Sequence, residues 1–447
     1  MSNLFGTGGI RGVENNFPID NLSSEVLGEV LADLSKKNNW EKICIAQDTR
    51  SSGILLFENF YKGLSTNESL EIYKMGILTT HSAVLYSKKI SANICVIITA
   101  SHNNFSENGF KFFNFEGRLV DKKLEEEIEK DFFDKKIEFN NSKKHFHLKN
   151  KEINIEAREH YLNFLRDNIE EKFSKKIVID CANGAASVFK DNFQEIFNEA
   201  KVVNSSPNGR NINLNCGSTH TEFLCEIVKK NKFDFGISLD GDGDRLALVD
   251  ENGEVIHSDK LMAFLAIEMN KKNKDCRKLV VTEYSSLALD DFLKPYDISV
   301  ERTENGERNV VDKMFEKNAL IGGEYSGHII IKNFSTSGDG LFVAIKALNF
   351  LEREKKKTSY ITNLFDLYPS FSKNISVQKK KTLAEMKKLQ EAILKAKTKM
   401  QEEGKIIVRH SGTENVCRVF VEGKKENQIK EIGKEISDII ESESNIL

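Results

Sequence analysis

Short apolar runs alternate with longer amphipathic stretches through most of this sequence. The runs are Ile43–Ala46, Ile94–Ile98, Ile177–Ile179, Phe235–Leu239, Leu279–Val281 and Ala319–Ile321. Runs of this length predict buried strands, and the stretches between them have the period of helices that cover a sheet. The alternation therefore predicts α/β domains with parallel or mixed sheets.

The C-terminal part of the sequence follows a different pattern. Two strands with alternating hydrophobicity, Lys405–Arg409 and Val416–Val421, lie between helix-period segments at Leu383–Met400 and Ile429–Ile440. Runs of strand and helix that do not alternate one by one predict an α+β domain.

Charged stretches of low hydrophobicity mark the predicted domain boundaries. Lys135–Lys151 and Glu352–Thr358 are predicted surface connections, and Pro369 marks a third break. A length of 447 residues also requires more than one hydrophobic core. We therefore predict three α/β domains at residues 1–150, 151–252 and 253–368, followed by a smaller α+β domain at 369–447.

Composition and charge exclude several classes of protein. With 39% hydrophobic and 30% charged residues, the composition is globular, which argues against disorder, collagen and coiled coil. The 65 Lys and Arg residues balance 68 Asp and Glu, so no general field attracts nucleic acid or an anionic membrane. No apolar run approaches the ~20 residues of a membrane span. We expect a soluble protein with no nucleic-acid or membrane partner.

The start of the chain and its cysteines favour the cytoplasm. No charged-then-apolar leader precedes the Gly-rich segment at Phe5. The seven cysteines are scattered and lack Cys-x-x-Cys spacing, which argues against a disulfide framework and a thiolate zinc site. We expect a cytoplasmic protein, and the sequence leaves open whether it forms a homodimer.

The most specific signal is an acidic turn between two predicted strands. Strand Phe235–Leu239 ends at Asp240-Gly241-Asp242-Gly243-Asp244-Arg245, and strand Leu246–Val249 follows at once. Carboxylates at alternate positions, with glycines for tight turning, can converge on one hard cation. A calcium EF-hand fits poorly, because its sixth position needs Gly and holds Arg245, and because helices must flank it. A solvated acidic turn stays open as the alternative.

A serine loop follows the predicted strand Ile94–Ile98. It reads Thr99-Ala100-Ser101-His102-Asn103-Asn104, and Lys111 lies a few residues further on. Ligands of α/β sheets bind at the carboxyl ends of strands, so Ser101 is a candidate nucleophile or phosphate carrier. The alternative is a Ser/Asn turn that caps a helix.

Three further loops carry candidate binding residues. Gly322–His328 presents Glu, Ser and His on a Gly-rich loop, a set that suits recognition of vicinal hydroxyls. Arg409–Asn415, together with Arg418, collects hydroxyls, backbone N–H groups and guanidinium groups that suit an anion. The Phe5–Gly12 segment is a weaker anion-loop candidate. The alternative for the first loop is a packed or solvent-facing histidine, and the alternative for the second is a plain hairpin turn.

These motifs, in this order, resemble the α-D-phosphohexomutase superfamily over nearly the whole chain. The motifs that carry the resemblance are Thr99–Asn103, Asp240–Arg245, Gly323–His328 and Ser411–Glu414. The resemblance implies three α/β domains with mixed or parallel sheets and a smaller α+β C-terminal domain around a central cleft. It also implies that Ser101 is carried as phosphoserine and exchanges its phosphoryl group with a phosphosugar substrate through a 1,6-bisphosphate intermediate. A hexose 1,6-bisphosphate would then act as an activator.

The resemblance also implies a role for each candidate residue. It places Mg²⁺ at a ligand set formed by the phosphate of Ser101 and the carboxylates of Asp240, Asp242 and Asp244. The other catalytic residues that it implies are Arg11, Lys111, Arg245 and His328. The implied substrate-binding residues are Glu324, Ser326, Arg409, Ser411, Gly412, Thr413 and Arg418. The first two would hold the 3- and 4-hydroxyls of the sugar, and the others the phosphate that does not react.

Further segments narrow the resemblance to bacterial members that act on a hexosamine phosphate. They are Pro207–Asn213 with Cys216–His220, and the stretch from His328 to Gly340. We therefore expect interconversion of glucosamine 6-phosphate and glucosamine 1-phosphate. A phosphomannomutase or phosphoglucomutase, and a non-catalytic sugar-phosphate or cation-binding protein, stay as alternatives. Asn104 and Asn415 stand where the superfamily commonly has proline, so we expect less rigid loops there.

Overall fold

The computed structural model describes residues 4–137, 148–273, 276–378, 381–401, 403–410 and 415–444. Its strands form four sheets, and the chain divides into two compact units. The first unit holds the residues up to Glu283 together with Ile298–Leu364, and the second holds Tyr284–Asp297 with the residues from Phe365 onward. The predicted α/β and α+β pattern is confirmed, whereas the limits at 150, 252 and 368 stay predictions.

The first sheet carries Ser101 at the end of an inner strand. Its strands are β1 (Ile10–Val13), β2 (Lys42–Gln47), β3 (Glu71–Ile77), β4 (Ile94–Ile98), β5 (Glu107–Asn114) and β6 (Lys149–Glu152), in the order β1-β5-β4-β2-β3-β6. Strand β4 pairs parallel with β2 and antiparallel with β5, so the sheet is mixed. The helices of this region are α1 (Asn21–Asn38), α2 (Ser52–Leu64), α3 (Thr80–Lys89) and α4 (Lys122–Ile137).

A buried core joins this sheet to α1, α2 and α4. It contains Val30 from α1, Phe60 from α2 and Val96 from β4, none of which is exposed. Helices α1 and α2 approach closely through glycine, since a Cβ atom on Gly28 would lie 2.1 Å from the carbonyl oxygen of Phe60. This packing fixes the sheet edge from which the serine loop leaves.

Strand β6 differs from the prediction that Lys135–Lys151 is a surface connection. Helix α4 continues to Ile137, residues 138–147 lie outside the described part of the chain, and Lys149–Glu152 pairs parallel with β3. All side chains of β6 are exposed. Backbone pairing and polar side-chain contacts, such as the ion pair between Lys74 and Glu152, hold this edge strand, so no hydrophobic pattern could reveal it.

The second and third sheets complete the first unit. The strands of the second sheet are β7 (Ile177–Asp180), β8 (Ala200–Val203), β9 (Phe235–Leu239), β10 (Leu246–Asp250) and β11 (Val255–Ile256). The helices of this part of the sequence are α5 (Asn154–Asp167), α6 (Phe193–Phe197), α7 (Glu222–Asn231) and α8 (Ser258–Asn273). The third has β12 (Lys278–Thr282), β13 (Ser299–Thr303), β14 (Ile321–Gly323) and β15 (Ile329–Ile331). Between β12 and β13 the chain forms α9 (Ala288–Leu293), which belongs to the second unit; α10 (Glu307–Lys317), α11 (Gly340–Arg353) and α12 (Ser359–Thr362) belong to the first.

The candidate loops of the first unit occupy equivalent places in their sheets. Ser101 lies between β4 and β5, the acidic turn between β9 and β10, and the Glu324–His328 loop between β14 and β15. In each case the two strands pair antiparallel. The loops therefore leave the carboxyl ends of strands, as predicted, but they form hairpins and not crossovers to helices.

The second unit is built on an antiparallel sheet. Its strands are β16 (Ser370–Ser376), β17 (Gly404–His410) and β18 (Val416–Gly423), and its C-terminal helices are α13 (Lys387–Met400) and α14 (Glu426–Ser444). The buried side chains of Val419, Val421 and Ile436 form part of its core. In the part of the chain that the structure describes, no helix has the length and apolar character needed to cross a membrane.

Candidate active site

Ser101 holds a backbone conformation that serine rarely adopts. Its φ angle is 54°, in the left-handed region, and the residue is 1% exposed. The side-chain hydroxyl donates a hydrogen bond to Oδ2 of Asp240 at 2.6 Å. The left-handed region costs a non-glycine residue roughly 1–2 kcal/mol, so it persists only where the surroundings enforce it. Two loops that are distant in sequence thus meet at this hydroxyl.

The acidic turn brings its three carboxylates together in a buried place. One oxygen atom from each of Asp240, Asp242 and Asp244 lies within 4.8 Å of the others. Gly243 has φ 72°, and a Cβ atom on Gly241 would lie 2.6 Å from the carbonyl oxygen of Ser101. Glycine is therefore required at these two positions for the turn and for its close approach to the serine loop.

Lys111 and Thr80 hold the carboxylates in place. The ammonium of Lys111, which projects from β5, donates to Oδ2 of Asp242 and Oδ2 of Asp244, both at 2.6 Å. The hydroxyl of Thr80, at the start of α3, donates to Oδ2 of Asp242 at 2.7 Å. The first sheet therefore supplies the groups that fix a turn of the second sheet.

Burial and charge act differently on the three carboxyl groups. Burial raises the pKa of Asp240 well above its ordinary value, and the charges of Asp242 and Asp244 raise it further. Burial opposes the ionisation of Asp242 and Asp244 too, but several groups together outweigh it and lower the pKa of both. Lys111 and the Thr80 hydroxyl act on Asp242, and Lys111, His328 and Arg245 act on Asp244. The site therefore gathers more buried negative charge than Lys111 alone can balance.

The acidic turn fits a hard divalent cation. Oδ1 of Asp242 is buried and has no hydrogen-bond partner among the described residues. Oδ1 of Asp244 is also buried without a hydrogen bond, and it meets only the longer ion pairs to His328 at 3.6 Å and Arg245 at 4.0 Å. Unpartnered carboxylate oxygens in a dry site are costly unless a cation meets them. Mg²⁺ is bound in proteins through one or two carboxylates and substrate phosphates. The donor set beside Ser101 is consistent with that chemistry.

His328 lies between two carboxylates. Its Nδ1 is 3.6 Å from Oδ1 of Asp244, and its Nε2 is 3.8 Å from Oε2 of Glu307, the first residue of α10. Burial alone would lower the pKa of His328, but the charges of Glu307 and Asp244 raise it to about 9. The imidazole therefore holds its second proton at neutral pH.

Glu324 and Ser326 form a polar group next to the acidic turn. The Ser326 hydroxyl donates to Oε2 of Glu324 at 3.1 Å, and the N–H of Gly306 donates to Oε1 at 2.9 Å. The guanidinium of Arg245 lies 3.7 Å from Glu324 and 4.0 Å from Asp244. Arg245 thus links the acidic turn to the predicted sugar loop.

Arg11 and His102 border the same site. Burial lowers the pKa of the Arg11 guanidinium and the carboxylate of Asp242 opposes this effect, so Arg11 is within electrostatic reach of the acidic turn. Nδ1 of His102 is 3.5 Å from the hydroxyl of Ser101, and burial lowers the pKa of His102 to about 3. A neutral imidazole therefore lies beside the Ser101 hydroxyl, and the Arg11 guanidinium is within electrostatic reach of that imidazole and of the acidic turn.

The predicted phosphate site lies in the second unit. Arg409 on β17 and Arg418 on β18 are directly opposite each other in the antiparallel register, so their side chains share one face. The Arg409 guanidinium carbon lies 5.0 Å from the ring centroid of Tyr284. The predicted ligands Ser411, Gly412 and Thr413 lie outside the described residues. Two guanidinium groups on one face of a sheet can bind an anion through charge-assisted hydrogen bonds.

Sequence reasoning missed several groups that the structure brings to the site. They include Thr80, Glu307 and Arg50, whose guanidinium donates to the Ser101 carbonyl oxygen at 3.0 Å. Arginine is rare in this lysine-rich sequence, and Arg50 stands in Asp48–Gly53 beside Asp, Ser and Gly. That composition was the available signal for Arg50. No comparable signal marks Thr80 or Glu307.

Comparison with known families agrees with this arrangement. Sequence models of the phosphoglucomutase/phosphomannomutase family match four successive segments: α/β/α domain I at residues 2–138, domain II at 159–253, domain III at 257–368 and the C-terminal domain at 373–439. The chain belongs to the phosphoglucomutase/phosphomannomutase family. The resemblance to the α-D-phosphohexomutases is therefore confirmed, and with it membership of a family of isomerases.

Relatives over the full length carry a more specific name. The phosphoglucosamine mutase of Caldicellulosiruptor saccharolyticus is 36% identical over 448 residues, which cover 99% of each chain. The phosphoglucosamine mutase of Brucella ovis is 34% identical and covers 99% of this chain and 98% of its own. The chain is thus similar to these mutases from end to end.

Solved structures share the fold at low sequence identity. A phosphoglucomutase/phosphomannomutase family protein of Burkholderia thailandensis has a TM-score of 0.80 at 19% identity and covers 99% of this chain and 98% of its own. An N-acetylphosphoglucosamine mutase of Aspergillus fumigatus, in complex with GlcNAc-6P and magnesium, has a TM-score of 0.69 at 16% identity over 99% and 96% of the chains. These likenesses concern the fold.

Proposed function

We propose that this protein interconverts glucosamine 6-phosphate and glucosamine 1-phosphate. The full-length relatives named phosphoglucosamine mutase support this substrate. The observation that carries the proposal is the 2.6 Å hydrogen bond between the Ser101 hydroxyl and Asp240, inside a cluster of buried carboxylates held by Lys111. A protein that only binds sugar phosphates has no use for such a fixed hydroxyl.

Ser101 is the phosphoryl carrier in this proposal. Its phosphate is transferred to the free hydroxyl of the sugar phosphate and gives a 1,6-bisphosphate. After the intermediate has turned around, its other phosphate returns to the Ser101 oxygen. Transfer of this kind depends on positioning and charge, because a loose transition state leaves little covalent work for the protein. Asp240 accepts the hydroxyl hydrogen bond and so orients the receiving oxygen.

The charged groups around Ser101 have separate tasks. We assign Asp240, Asp242 and Asp244, with the Ser101 phosphate, as ligands of Mg²⁺, which would neutralise charge on the phosphate when bound. Lys111 holds Asp242 and Asp244 in register, and Arg11 and Arg245 supply the remaining positive charge. His328, protonated at neutral pH, can donate a hydrogen bond to the reacting sugar oxygen or phosphate.

The substrate needs two further contacts that work in both of its orientations. Glu324 and Ser326 would bind the adjacent 3- and 4-hydroxyls, which exchange places when the ring turns over. The non-reacting phosphate would be bound by the following residues: Arg409, Ser411, Gly412, Thr413 and Arg418. A hexose 1,6-bisphosphate would activate the enzyme by charging Ser101.

The test combines a mass measurement with kinetics. Incubation with glucose 1,6-bisphosphate and Mg²⁺ should add one phosphate to the intact protein. Isomerisation of glucosamine 1-phosphate should then require both additions, and its kcat/KM should exceed that for glucose 1-phosphate. A preference for the neutral sugar would select the phosphomannomutase or phosphoglucomutase alternative. Binding without phosphate gain or turnover would select the non-catalytic alternative.

Two wider aspects of the proposal have their own tests. We place the enzyme in the cytoplasm, where amino-sugar phosphates are available, and fractionation of cells that express it would check this. A homodimer stays a prediction, which light scattering of the purified protein would test.

A further inference from the structure

Arg50 is a buried arginine that the proposed transfer steps do not use. Its side chain is 0% exposed, and it follows β2 by three residues. A guanidinium has five N–H groups, and each of these donates a hydrogen bond here. Nε donates to Oδ2 of Asp48 at 2.9 Å. The other four N–H groups donate to the backbone carbonyls of Ser101 (3.0 Å), Asn103 (2.9 Å), Glu107 (2.9 Å) and Asn104.

The Asp48–Arg50 pair is connected to both backbone polar groups of Ser101. The Ser101 N–H donates to the Thr99 hydroxyl at 2.8 Å, and this hydroxyl donates to Oδ2 of Asp48 at 2.6 Å. On the other side, the Ser101 carbonyl accepts from Arg50. The peptide groups before and after Ser101 are therefore both fixed to one ion pair. Rotation about either backbone bond of Ser101 would break one of these contacts.

Asn213 reaches the same carbonyls from another part of the chain. Its side-chain amide donates to the carbonyl oxygen of Ser101 at 2.8 Å and to that of Asn103 at 3.0 Å. The Ser101 carbonyl therefore accepts hydrogen bonds from two side chains. Such redundancy is what a left-handed serine needs, since that conformation persists only where its surroundings over-determine it.

We infer that Arg50, assisted by Asn213, is a positioning residue that holds Ser101 in the left-handed conformation from which its hydroxyl meets the acidic turn. The inference rests on the proposed role of Ser101 as phosphoryl carrier. Arg50 also donates to the carbonyl oxygen of Asn104, so the same guanidinium binds the loop on the C-terminal side of Ser101. Lysine could keep the charge, but it lacks the planar fork that reaches several carbonyls at once.

The experiment measures phosphorylation of Ser101 in full-length variants. Arg50→Lys removes the fork, and Asn213→Gly removes the amide while tolerating the φ angle of 56° at that position. A displacement of reacting groups by about 1 Å can cost about 10²-fold in rate. We expect Arg50→Lys to lower kcat about 100-fold and Asn213→Gly about 10-fold, each with KM within about threefold of the parent. Arg166→Lys, which changes an exposed ion pair, is the matched control and should behave as the parent.

The rate at which glucose 1,6-bisphosphate phosphorylates Ser101, followed by intact mass, should fall by the same factors as kcat. Circular dichroism and thermal unfolding define a temperature at which each variant is folded, and all rates are taken there. Folded variants that phosphorylate Ser101 at the parent rate overturn the inference, as does a loss confined to KM. If Arg50→Lys does not fold, Asn213→Gly decides. If the parent protein itself gains no phosphate on Ser101, the proposed function fails, which is a distinct result.

Discussion

The Ser101 site draws its groups from distant parts of the chain, whereas the β17–β18 hairpin presents both of its arginines from one short segment. In the first, Ser101, Lys111 and Asp240 are almost fully buried and hydrogen bonded to one another or to neighbouring loops. In the second, Arg409 and Arg418 are only partly buried and face each other across two strands. The side chains of the Ser101 site are fixed by hydrogen bonds to one another and to neighbouring loops. The β17–β18 hairpin instead carries two positively charged side chains on one face.

We expect this difference in burial and hydrogen bonding to reflect different roles of the two regions in the proposed reaction. Phosphoryl transfer needs atoms held within a fraction of an ångström, so its groups are buried and over-determined. A seat for the phosphate that does not react needs positive charge and hydrogen-bond donors, which a hairpin supplies with less constraint. The comparison predicts that changes in the first region lower kcat, and that changes in the second raise KM.

Replacement of Ser101 by alanine should have the largest effect. The variant cannot carry a phosphoryl group, so isomerisation should fall by at least about 10⁴-fold while the protein stays folded. Intact mass after incubation with glucose 1,6-bisphosphate should show no added phosphate. Ser35→Ala removes a buried hydroxyl that donates to the Leu31 carbonyl within α1, and this control variant should still gain the phosphate. If Ser101→Ala isomerised the substrate at the parent rate, Ser101 could not be the phosphoryl carrier.

Asp242→Asn should have the second-largest effect and lower kcat about 10³-fold at saturating Mg²⁺. The amide keeps the shape of the side chain but lowers the charge that a divalent cation needs, and Lys111 keeps Asp244 as a partner. Titration of Mg²⁺ against turnover measures the change, and circular dichroism checks the fold. Asp191→Asn, an exposed aspartate, is the control. Unchanged dependence on Mg²⁺ in Asp242→Asn would contradict the metal assignment.

The sequence predicted the first region in part, because some of its groups are contiguous. The Asp-Gly-Asp-Gly-Asp pattern places three carboxylates in one tight turn and so predicts that they converge. Strands β4 and β9 have the bounds that the apolar runs predict. The strand predicted at Ala319–Ile321 instead covers Ile321–Gly323. Glycine has low strand propensity, but Gly322 allows close packing: a Cβ atom there would lie 2.7 Å from the sulfur of Met314 and 3.0 Å from the carbonyl oxygen of Val280, so a larger residue would displace the Met314 side chain.

Groups that act through tertiary contacts left little trace in the sequence. Arg50 binds backbone carbonyls, which every residue type offers, so no motif announces its partners. Thr80 and Asp242 meet although 162 residues separate them. By contrast, the Arg409–Arg418 pair follows from the register of one hairpin, which makes the second region the easier one to predict. The positions of its turn residues at 411–413 stay predictions.

Arg409→Gln should raise KM for the sugar phosphate about 30-fold and leave kcat within about threefold. The guanidinium would contribute about 2 kcal/mol to phosphate binding through charge-assisted hydrogen bonds. Removal of one of two opposed positive charges should stabilise the hairpin, and loss of the cation–π contact with Tyr284 should offset this gain, so thermal stability should change little. Steady-state kinetics and thermal unfolding measure the two effects. Lys373→Gln removes an exposed positive charge of the same sheet and is the control. A fall in kcat with unchanged KM would contradict the assignment of phosphate binding to the hairpin and of phosphoryl transfer to the Ser101 site.

The smallest expected effect concerns the pH dependence of the free energy of unfolding, and it depends on Asp339 in the first unit. Asp339 is the N-cap residue of α11 and accepts hydrogen bonds from Tyr161 at 2.8 Å and from the N–H of Phe342 at 3.1 Å. Burial raises its pKa from 3.8 to about 7. The folded protein therefore binds a proton that the unfolded chain releases above pH 4, and this stabilisation is lost as the pH rises through about 7.

Asp339→Asn keeps both hydrogen bonds but cannot ionise, so it removes this dependence. The unfolding free energy of the variant, relative to the parent, should increase by about 1 kcal/mol between pH 6 and pH 8. Urea unfolding followed by the fluorescence of Trp40, the only tryptophan of the sequence, reports on the first unit. Asp312→Asn, an exposed aspartate, should show no such trend. His81, whose Nε2 lies 3.7 Å from Oδ2 of Asp339, does not titrate between pH 6 and pH 8 in the folded protein, because burial lowers its pKa to about 3. Its titration in the unfolded chain is common to parent and variant. A constant difference across this range would mean that Asp339 is already ionised at pH 6 in the folded protein.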